Sequence, residues 1–460
     1  MSDTNPLREL PSVEQLLISG EFDAEINLLS RPLVANVIRV VLQEVREDAE
    51  EGKPVGATAE IKRRIHAGCR RLQQRRFTRV INGSGVLIHT NLGRAPLGEE
   101  LLRRAFDNLK GYSTLEFDLI SGKRGQRGSF LSFLLEQLTG AASAMAVNNN
   151  AAALFLILNT FANRREVIVS RSELVQIGGG FRIPDIIRRA GARLVEVGTT
   201  NQTRLRDFEE AITPKTAIIL KVHQSNFRIQ GFVEEVTPAA LAKLASTRSL
   251  ISVFDLGSGA FLQTERFGME AEPTIQSAIS SNSTLTCFSG DKLLGGTQAG
   301  IILGDREGVS ALHRNPLYRT LRLDKLTLAL LEEVALVYLR GEQSEVLPLW
   351  RAIATDVAEL RGRAERIAGA IDAVKLGVSI KASTATPGGG SLPGGTLDSI
   401  ALVLRPPVRM SRLPRLLLDA SPPLIGYLNN DEFFLDLRTI DPAEDKDVIA
   451  ILQQIAACIP

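Results

Sequence analysis

The chain has 460 residues, of which 44% are hydrophobic and 23% charged, as is typical of a globular protein with two or three domains. Its net charge of +2 excludes a uniformly basic surface, so any nucleic-acid surface requires local segregation of charge. The 3 cysteines and 4 histidines are dispersed, which argues against a disulfide framework and a metal site. There is no signal-peptide pattern and no apolar run of membrane-spanning length, so we expect a cytoplasmic protein.

Residues 1–76 are predicted to form a helical domain. Pro32 can open one helix, because apolar residues then recur at helical spacing from Val34 to Val45. A second predicted helix, at residues 59–76, carries one acid, Glu60, and a larger set of basic residues: Lys62, Arg63, Arg64, Arg70, Arg71, Arg75 and Arg76. Such a run is either a solvated helix face, which the pattern alone favours, or a phosphate-binding face for RNA.

Residues 77–330 are predicted to form an α/β domain, because short β-rich runs alternate there with helical stretches. The predicted strands are residues 167–169, 194–197, 217–222, 251–254, 285–288 and 301–303. The predicted helices are residues 151–161, 184–190, 205–212 and 238–245. This alternation predicts a mostly parallel sheet covered on both faces, with ligands bound at the carboxyl ends of its strands.

The last part of the chain, residues 331–460, is predicted to form a linker helix and a small α+β domain. The linker helix is expected at about residues 325–340, a further helix near residues 352–370, and apolar runs at residues 400–404 and 432–437. The stretch 387–395 is too rich in glycine and proline for regular structure. It is either a plain connector or a loop that approaches a ligand closely.

Two loops at the ends of predicted strands carry a lysine and an aspartate that suit pyridoxal phosphate. Lys292 lies in the glycine-flanked segment 289–296, and Asp255 follows the apolar run 251–254. This cofactor needs a lysine amine to hold its aldehyde and a carboxylate to keep its ring nitrogen protonated. The alternative is that both are ordinary surface residues in tight turns.

Other polar residues at predicted element ends extend this interpretation. Asn148, Asn149 and Asn150 precede a helix, where free backbone N–H groups bind phosphate, although a plain N-cap is the alternative. His223 ends a predicted strand and either contacts the cofactor, takes part in proton transfer, or is a satisfied structural histidine.

Several arginines are candidates for binding oxyanions, because a guanidinium group can hold an oxyanion with two hydrogen bonds. The candidates are Arg94, Arg124, Arg127, Arg319 and Arg322. For any one of them, an ordinary surface arginine is the stronger alternative. The glycine-rich loop at residues 122–128 fails the P-loop spacing, so we reject nucleotide hydrolysis there.

Taken together, these segments resemble the bacterial L-seryl-tRNA(Sec) selenium transferases, also called selenocysteine synthases. The matching segments, in the same order along the chain, are residues 81–96, 112–127, 147–152, 197–201, 254–259, 289–296 and 388–393. Each segment alone is weak, whereas their combination is specific. The helical region at the N-terminus also resembles that of the family.

The resemblance implies a fold-type-I pyridoxal-phosphate transferase with a tRNA-binding N-terminal domain. It implies roles for the cofactor-binding residues Lys292, Asp255, Asn148 and Asn149, for the active-site residue Asp291, and for the phosphate-binding residues Arg94, Arg319 and Arg322. His223 is a further cofactor-binding candidate because of its place at the end of a strand. Subunits would form dimers that assemble into a homodecamer, with active sites at subunit interfaces. The roles of Arg124 and Arg127 stay open.

The reaction implied by the resemblance converts L-seryl-tRNA(Sec) to L-selenocysteinyl-tRNA(Sec). Selenophosphate would supply the selenium, through an aminoacrylyl-tRNA intermediate bound to pyridoxal phosphate. Two alternatives remain at this point. One is a pyridoxal-phosphate lyase acting on a free amino acid or amino sugar phosphate, and the other is a non-catalytic RNA-binding assembly protein.

Overall fold

A computed structural model describes residues 10–55, 57–177, 180–407 and 410–459. Contacts within the chain divide it into two units, Met1–Val80 and Ile81–Pro460. The finer division expected from the sequence, with boundaries after residues 76 and 330, stays a prediction. Within the described ranges, no helix is both long and apolar enough to cross a membrane, and no three His, Cys, Asp or Glu side chains are grouped as metal ligands.

The first unit is helical, as predicted. Its helices are α1 (Val13–Ile18), α2 (Asp23–Leu29), α3 (Arg31–Glu50) and α4 (Thr58–Gln73). Helix α1 begins at a capping box formed by Ser12 and Gln15. The predicted apolar stripe of α3 is buried, including Val34 and Val45, and it packs with Ile61 of α4 in one core.

The second unit holds the remaining elements. Its helices are α5 (Glu99–Asp107), α6 (Ser129–Thr139), α7 (Asn150–Ala162), α8 (Ile183–Arg189), α9 (Leu205–Ala211), α10 (Pro238–Thr247), α11 (Ile275–Ser280), α12 (Arg306–Arg314), α13 (Tyr318–Leu321), α14 (Lys325–Arg340), α15 (Gln343–Val346), α16 (Pro348–Ala354), α17 (Val357–Gly369), α18 (Leu413–Leu418) and α19 (Asp445–Cys458). Its first nine strands are β1 (Ile81–Asn82), β2 (Val86–Ile88), β3 (Phe117–Asp118), β4 (Lys123–Arg124), β5 (Ser143–Val147), β6 (Glu166–Ser170), β7 (Gln176–Ile177), β8 (Phe181–Arg182) and β9 (Arg193–Val197). The others are β10 (Thr216–Val222), β11 (Ile251–Gly257), β12 (Leu285–Ser289), β13 (Gly300–Gly304), β14 (Ser379–Gly388), β15 (Leu397–Leu404), β16 (Leu424–Ile425), β17 (Tyr427–Asn429) and β18 (Glu432–Asp436).

A seven-stranded sheet forms the centre of this unit, in the order β5-β13-β12-β11-β10-β6-β9. Only β13 runs antiparallel to its neighbours, which confirms the mostly parallel sheet expected from the sequence. All residues of β6, β10 and β12 are buried, because apolar clusters cover the sheet. Strand β5 was not predicted, since its sequence, Ser-Ala-Met-Ala-Val, contains only one β-branched residue.

A second, five-stranded sheet has the order β17-β18-β15-β14-β2. It gives the α+β character expected for the C-terminal part, and β2 joins it from a distant part of the chain. The helix expected near residues 352–370 is present as α17, but it begins only at Val357, because a separate helix, α16, ends at Ala354. Asp356 separates them, and its side chain caps α17 by accepting a hydrogen bond from the Ala358 N–H.

Candidate active site

Asp255 lies in β11, close to the carboxyl end of the central sheet. Asp255 is only 6% exposed, and two hydrogen-bond donors contact its Oδ1 atom. The Asn150 side-chain amide donates at 2.8 Å and the Gly257 N–H donates at 3.1 Å. Burial raises the pKa of Asp255, against the opposing hydrogen bond from Asn150 and the charge of Lys292. The carboxylate is therefore suited to a buried cationic partner.

Lys292 lies in a tight loop between β12 and β13, and it is also buried. Backbone hydrogen bonds hold the loop, since the Leu293 N–H donates to the Ser258 carbonyl and the Gly290 N–H donates to the Ala299 carbonyl, both at 2.9 Å. Burial lowers the pKa of Lys292, against the opposing attraction of Asp255. This favours the neutral amine, which is the form that attacks an aldehyde.

Asp291, beside the lysine, holds Arg94. Arg94 Nη1 donates to Asp291 Oδ2 at 2.8 Å, and the Ala95 N–H donates to the Asp291 carbonyl at 3.2 Å. Arg94 has a φ of +65°, an uncommon conformation for a side chain of this size. The turn that contains Arg94 is thus fixed next to the lysine loop.

The three consecutive asparagines have three different roles. Asn149 caps α7, because its side chain accepts a hydrogen bond from the Ala152 N–H at 2.9 Å. The Asn148 amide, oriented so that its nitrogen is satisfied, donates to the carbonyls of Leu321 and Arg322. Asn150 contacts Asp255 and was not assigned from the sequence, although a run of three asparagines exceeds what a cap needs. The structure thus brings the third asparagine, rather than the first two, to the carboxylate.

His223 directly follows β10 and lies beside Asp255. Its backbone N–H donates to the Asp255 carbonyl at 2.9 Å, and its Nε2 atom lies 3.2 Å from Glu272 Oε1. Glu272 is buried, and its N–H donates to the Thr264 hydroxyl at 3.1 Å. Glu272 was not found from the sequence, because it lies outside regular structure and depends on a tertiary contact.

Three of the four remaining candidate arginines gather around Glu116 instead of Arg94. Glu116 accepts from Arg124 at 2.7 Å, from Arg127 at 2.8 Å and from Arg322 at 3.2 Å. Arg127 and Arg124 lower the pKa of Glu116. Arg319 is exposed, and no contact among the described residues joins it or Arg322 to Arg94. Glu116, like Glu272, was not found from the sequence.

Buried polar atoms without a partner are concentrated near Asp255 and Lys292. Within the described residues they include Asn150 Oδ1, Ser258 Oγ, Asp291 Oδ1 and Ser391 Oγ. Buried polar atoms are nearly always hydrogen-bonded in folded proteins. The residues present therefore fit a polar ligand such as pyridoxal phosphate, with a lysine amine and a carboxylate available for its aldehyde and its ring nitrogen.

The mostly parallel sheet, the buried lysine and the buried aspartate define a fold-type-I pyridoxal-phosphate enzyme. Among solved structures, the fold is similar to that of D-glucosaminate-6-phosphate ammonia-lyase, with a TM-score of 0.57 and 19% identity. The match covers 84% of this chain and 98% of that chain. The chain belongs to the L-seryl-tRNA selenium transferase family, because the model of that family matches residues 80–441. Residues 7–46 match the family described as selenocysteine synthase N terminal.

Curated relatives are similar over almost the whole chain. The L-seryl-tRNA(Sec) selenium transferase of Solidesulfovibrio magneticus is 40% identical, over 99% of this chain and 99% of that protein. Proteins of the same name from Moorella thermoacetica and Aquifex aeolicus are 41% and 40% identical, over 99% and 98% of this chain and 98% of each protein. Both the catalytic core and the N-terminal region are thus shared with these relatives.

Proposed function

We propose that this chain converts L-seryl-tRNA(Sec) to L-selenocysteinyl-tRNA(Sec), with selenophosphate as the selenium donor. The observation that carries the proposal is the buried pair of Lys292 and Asp255 at the carboxyl ends of the strands, in a chain that belongs to this family. Full-length relatives with this name favour the transferase over a lyase acting on a free amino acid. The buried pair is intact, which argues against a non-catalytic assembly protein.

Asp255 would hold the cofactor by its ring nitrogen, and Asn150 and Gly257 would fix the carboxylate for this contact. Pyridoxal phosphate, when bound, withdraws electrons from the carbon atom that bears the amino group. A cation at the ring nitrogen would compensate the buried charge of Asp255, which burial otherwise disfavours. The N–H groups at the start of α7 would receive the phosphate, with Asn149 as the cap. Asn148 and His223 stay candidates for cofactor contacts.

Lys292 would bond to the cofactor aldehyde and would move a proton once its amine is released. Its depressed pKa favours a neutral amine, which can take the proton from Cα of the seryl group and later return one to the same atom. Asp291 would keep Arg94 beside this amine, and its second carboxylate oxygen has no partner among the described residues. Asp291 is thus placed to hold a donor group of the substrate.

Arg94, Arg319 and Arg322 would bind the phosphate of the selenium donor. In a single chain, Arg94 and Arg322 are each paired with a carboxylate, and an incoming oxyanion has to replace these partners. A site completed by a second subunit would bring the arginines together. This proposal agrees with the dimers and the decamer implied by the resemblance.

Exposed apolar side chains of the second unit support the formation of an oligomer. Several large apolar side chains are exposed between residues 106 and 133: Phe106, Tyr112, Phe117, Leu119, Ile120, Phe130 and Phe133. Such a concentration is typical of a surface that another protein covers. We propose that a second copy of the chain covers it in a homo-oligomer that works in the cytoplasm.

The tRNA would bind to the basic helix α4, mainly at its C-terminal end. Near the start of the helix, Lys62 pairs with Glu21, Arg63 with Glu60, and Arg64 with Glu44 and Asp48. In contrast, Arg70, Arg71 and Arg75 are exposed and have no ion pair among the described residues. Unpaired arginines bind phosphates at lower cost, because no internal pair has to be broken.

Selenium transfer to seryl-tRNA(Sec), followed with the visible spectrum of the purified protein, tests the proposed function. We expect a spectral change with seryl-tRNA(Sec) but not with free serine, and selenocysteinyl-tRNA(Sec) as product when selenophosphate is added. Lys292→Ala should abolish both signals, whereas Lys215→Ala, at an exposed position, should keep them. A spectral change with free serine alone would contradict the proposal and favour a small-molecule lyase.

A further inference from the structure

The glycine-rich stretch after β14 approaches the amine of Lys292 closely. Gly390 has a φ of +86°, and a methyl group built on it would lie 2.6 Å from Lys292 Nζ and 3.0 Å from its Cε. Carbon atoms do not approach each other or nitrogen this closely without displacement. The backbone of residue 390 therefore forms part of the wall around the lysine amine, and any side chain there would occupy the space of the amine.

This wall is anchored at both ends. Gly388 pairs with Ile88 of β2, and a methyl group at Gly388 would lie 2.5 Å from the Ile88 carbonyl oxygen. On the other side, Leu392 is 4% exposed and is part of the large apolar core of this unit. It keeps a φ of +47°, which an L-residue adopts only when its surroundings hold it there. The wall is thus fixed at both ends.

Ser391, next to Gly390, also faces an incomplete environment. Its residue is fully buried, and its hydroxyl has no partner among the described residues. A buried hydroxyl without a hydrogen bond is costly, so a polar ligand at this place would satisfy it. The stretch therefore belongs to the site and is not a plain connector, one of the two interpretations that the sequence left open.

We propose that Gly390 is a positioning residue that acts through Lys292. Because it has no side chain, it leaves the space in which the amine reaches the cofactor aldehyde and from which it withdraws when substrate takes its place. This inference rests on the proposed function, since it concerns the same lysine. It adds a residue from the loop that follows β14 to a site otherwise built on the ends of the central sheet.

The effect of a methyl group at residue 390 follows from which neighbour can move. Lys292 Nζ is the end of a flexible side chain, whereas the wall is anchored through Gly388 and Leu392. The amine should therefore move and the fold should persist. We expect Gly390→Ala to remain folded and to bind the cofactor, but to bond it to the lysine at least tenfold less well.

Gly394→Ala is the matched control in the same stretch. Gly394 has a similar φ of +81°, yet a methyl group there meets no atom of the described residues within 4 Å. Both variants therefore carry the same backbone penalty, and only one reaches the lysine. The readouts are the visible absorbance of the lysine-bound cofactor, the fraction trapped on lysine by borohydride, total cofactor binding, and the melting temperature.

The proposal expects trapping on lysine to fall in Gly390→Ala and to stay at the wild-type level in Gly394→Ala. Wild-type trapping in Gly390→Ala, an equal loss in both variants, or a Gly390→Ala chain that does not fold would each overturn it. A second measurement uses a Lys292→Ala background, where added methylamine replaces the missing amine. There the methyl group at residue 390 has no lysine to displace, so it should change amine-dependent turnover less than twofold, and a tenfold loss would overturn the proposal.

Different outcomes contradict the role of Gly390 and the proposed function. Trapping of the cofactor requires neither tRNA nor selenophosphate, so a chain that traps cofactor but transfers no selenium would contradict the proposed function and leave the role of Gly390 standing. A wild-type chain that bonds no cofactor would overturn both.

Discussion

The centre around Lys292 and the arginine group around Glu116 differ in how far a single chain completes them. At the centre, charged residues are buried and several polar atoms have no partner within the described residues. Around Glu116, a single carboxylate already holds Arg124, Arg127 and Arg322, and the Arg124 side chain is 75% exposed. The first region is therefore preformed to receive a small polar group. The second has to exchange partners before it can bind an anion.

Removal of the buried carboxylate of the centre should have the largest effect on activity. We expect Asp255→Asn to lower the rate of selenium transfer by about 10²–10⁴-fold, because loss of one member of a buried charged pair costs about 3–5 kcal/mol. Asn150→Ala should have a smaller effect of about tenfold, because it removes one hydrogen bond to a charged group. Single-turnover rates with seryl-tRNA(Sec) measure both, and equal losses in the two variants would contradict the ranking.

Arg322 tests the other side of the comparison. Arg322→Ala should raise the KM for selenophosphate by about 10- to 100-fold, the cost of about 1.5–3 kcal/mol for a charged hydrogen bond. The absorbance of the lysine-bound cofactor should stay unchanged, because Arg322 contacts Glu116 instead of the centre. Arg314→Ala is the control, since Arg314 is exposed and donates to Ser310. A changed cofactor spectrum with an unchanged KM would show that the two regions are not separate.

The basic helix extends the comparison to paired and unpaired arginines. Replacing Arg70, Arg71 and Arg75 together by alanine should weaken tRNA binding about tenfold. The slope of log affinity against log salt concentration should become shallower by about 2–3, because each phosphate contact contributes about one unit to it. Arg63→Ala should have little effect, since Arg63 is paired with Glu60. Titrations of tRNA at several salt concentrations provide the measurement. An equal loss of affinity in the Arg63 variant would remove the distinction.

Glu332, on α14, shows what burial does to a carboxylate whose charged neighbour is another acid, Glu333. Burial, together with the charge of Glu333, raises the pKa of Glu332 to about 7 from its ordinary value of 4.5. The folded chain therefore holds a proton between these values that the unfolded chain has lost, so stability falls as pH rises through this window. Glu332→Gln should make the fall in the free energy of unfolding across this window smaller by about 1 kcal/mol, a value that already allows for solvent screening. Melting temperatures at pH 5 and pH 8 test it, and parallel curves for the two proteins would contradict the shift.

The sequence predicted the parts of the site that depend on local pattern. Lys292 and Asp255 were recognisable because each ends an apolar run, and strand ends of a parallel sheet meet at one edge. Glu272 was not recognisable, because its partner His223 lies far away in the chain. Glu116 was not recognisable either, because its contacts join the nearby Arg124 and Arg127 to the distant Arg322. The same holds for Asn150, which lies at the start of α7 and contacts Asp255 of β11, 105 residues later in the chain.

The fold shows the same division between local and tertiary signals. The helix at residues 325–340 was predicted with the observed bounds of α14, because its caps and spacing are local. Strand β5 was not predicted, since it contains mostly alanine and methionine. The break between α16 and α17 was missed although its signal, the Asp356 cap, is local. The pairing of β14 with β2 could not be predicted from the local sequence pattern either, because it joins distant segments of the chain.

The assignment of Lys292 is tested most directly by identifying the lysine that bonds to the cofactor. The purified protein is loaded with pyridoxal phosphate, reduced with borohydride, digested, and analysed by mass spectrometry of the peptides. We predict a pyridoxyl adduct on the peptide that contains Lys292, with a yield that falls in Asp255→Asn. An adduct confined to another lysine, such as the buried Lys221, would contradict the assignment of this centre.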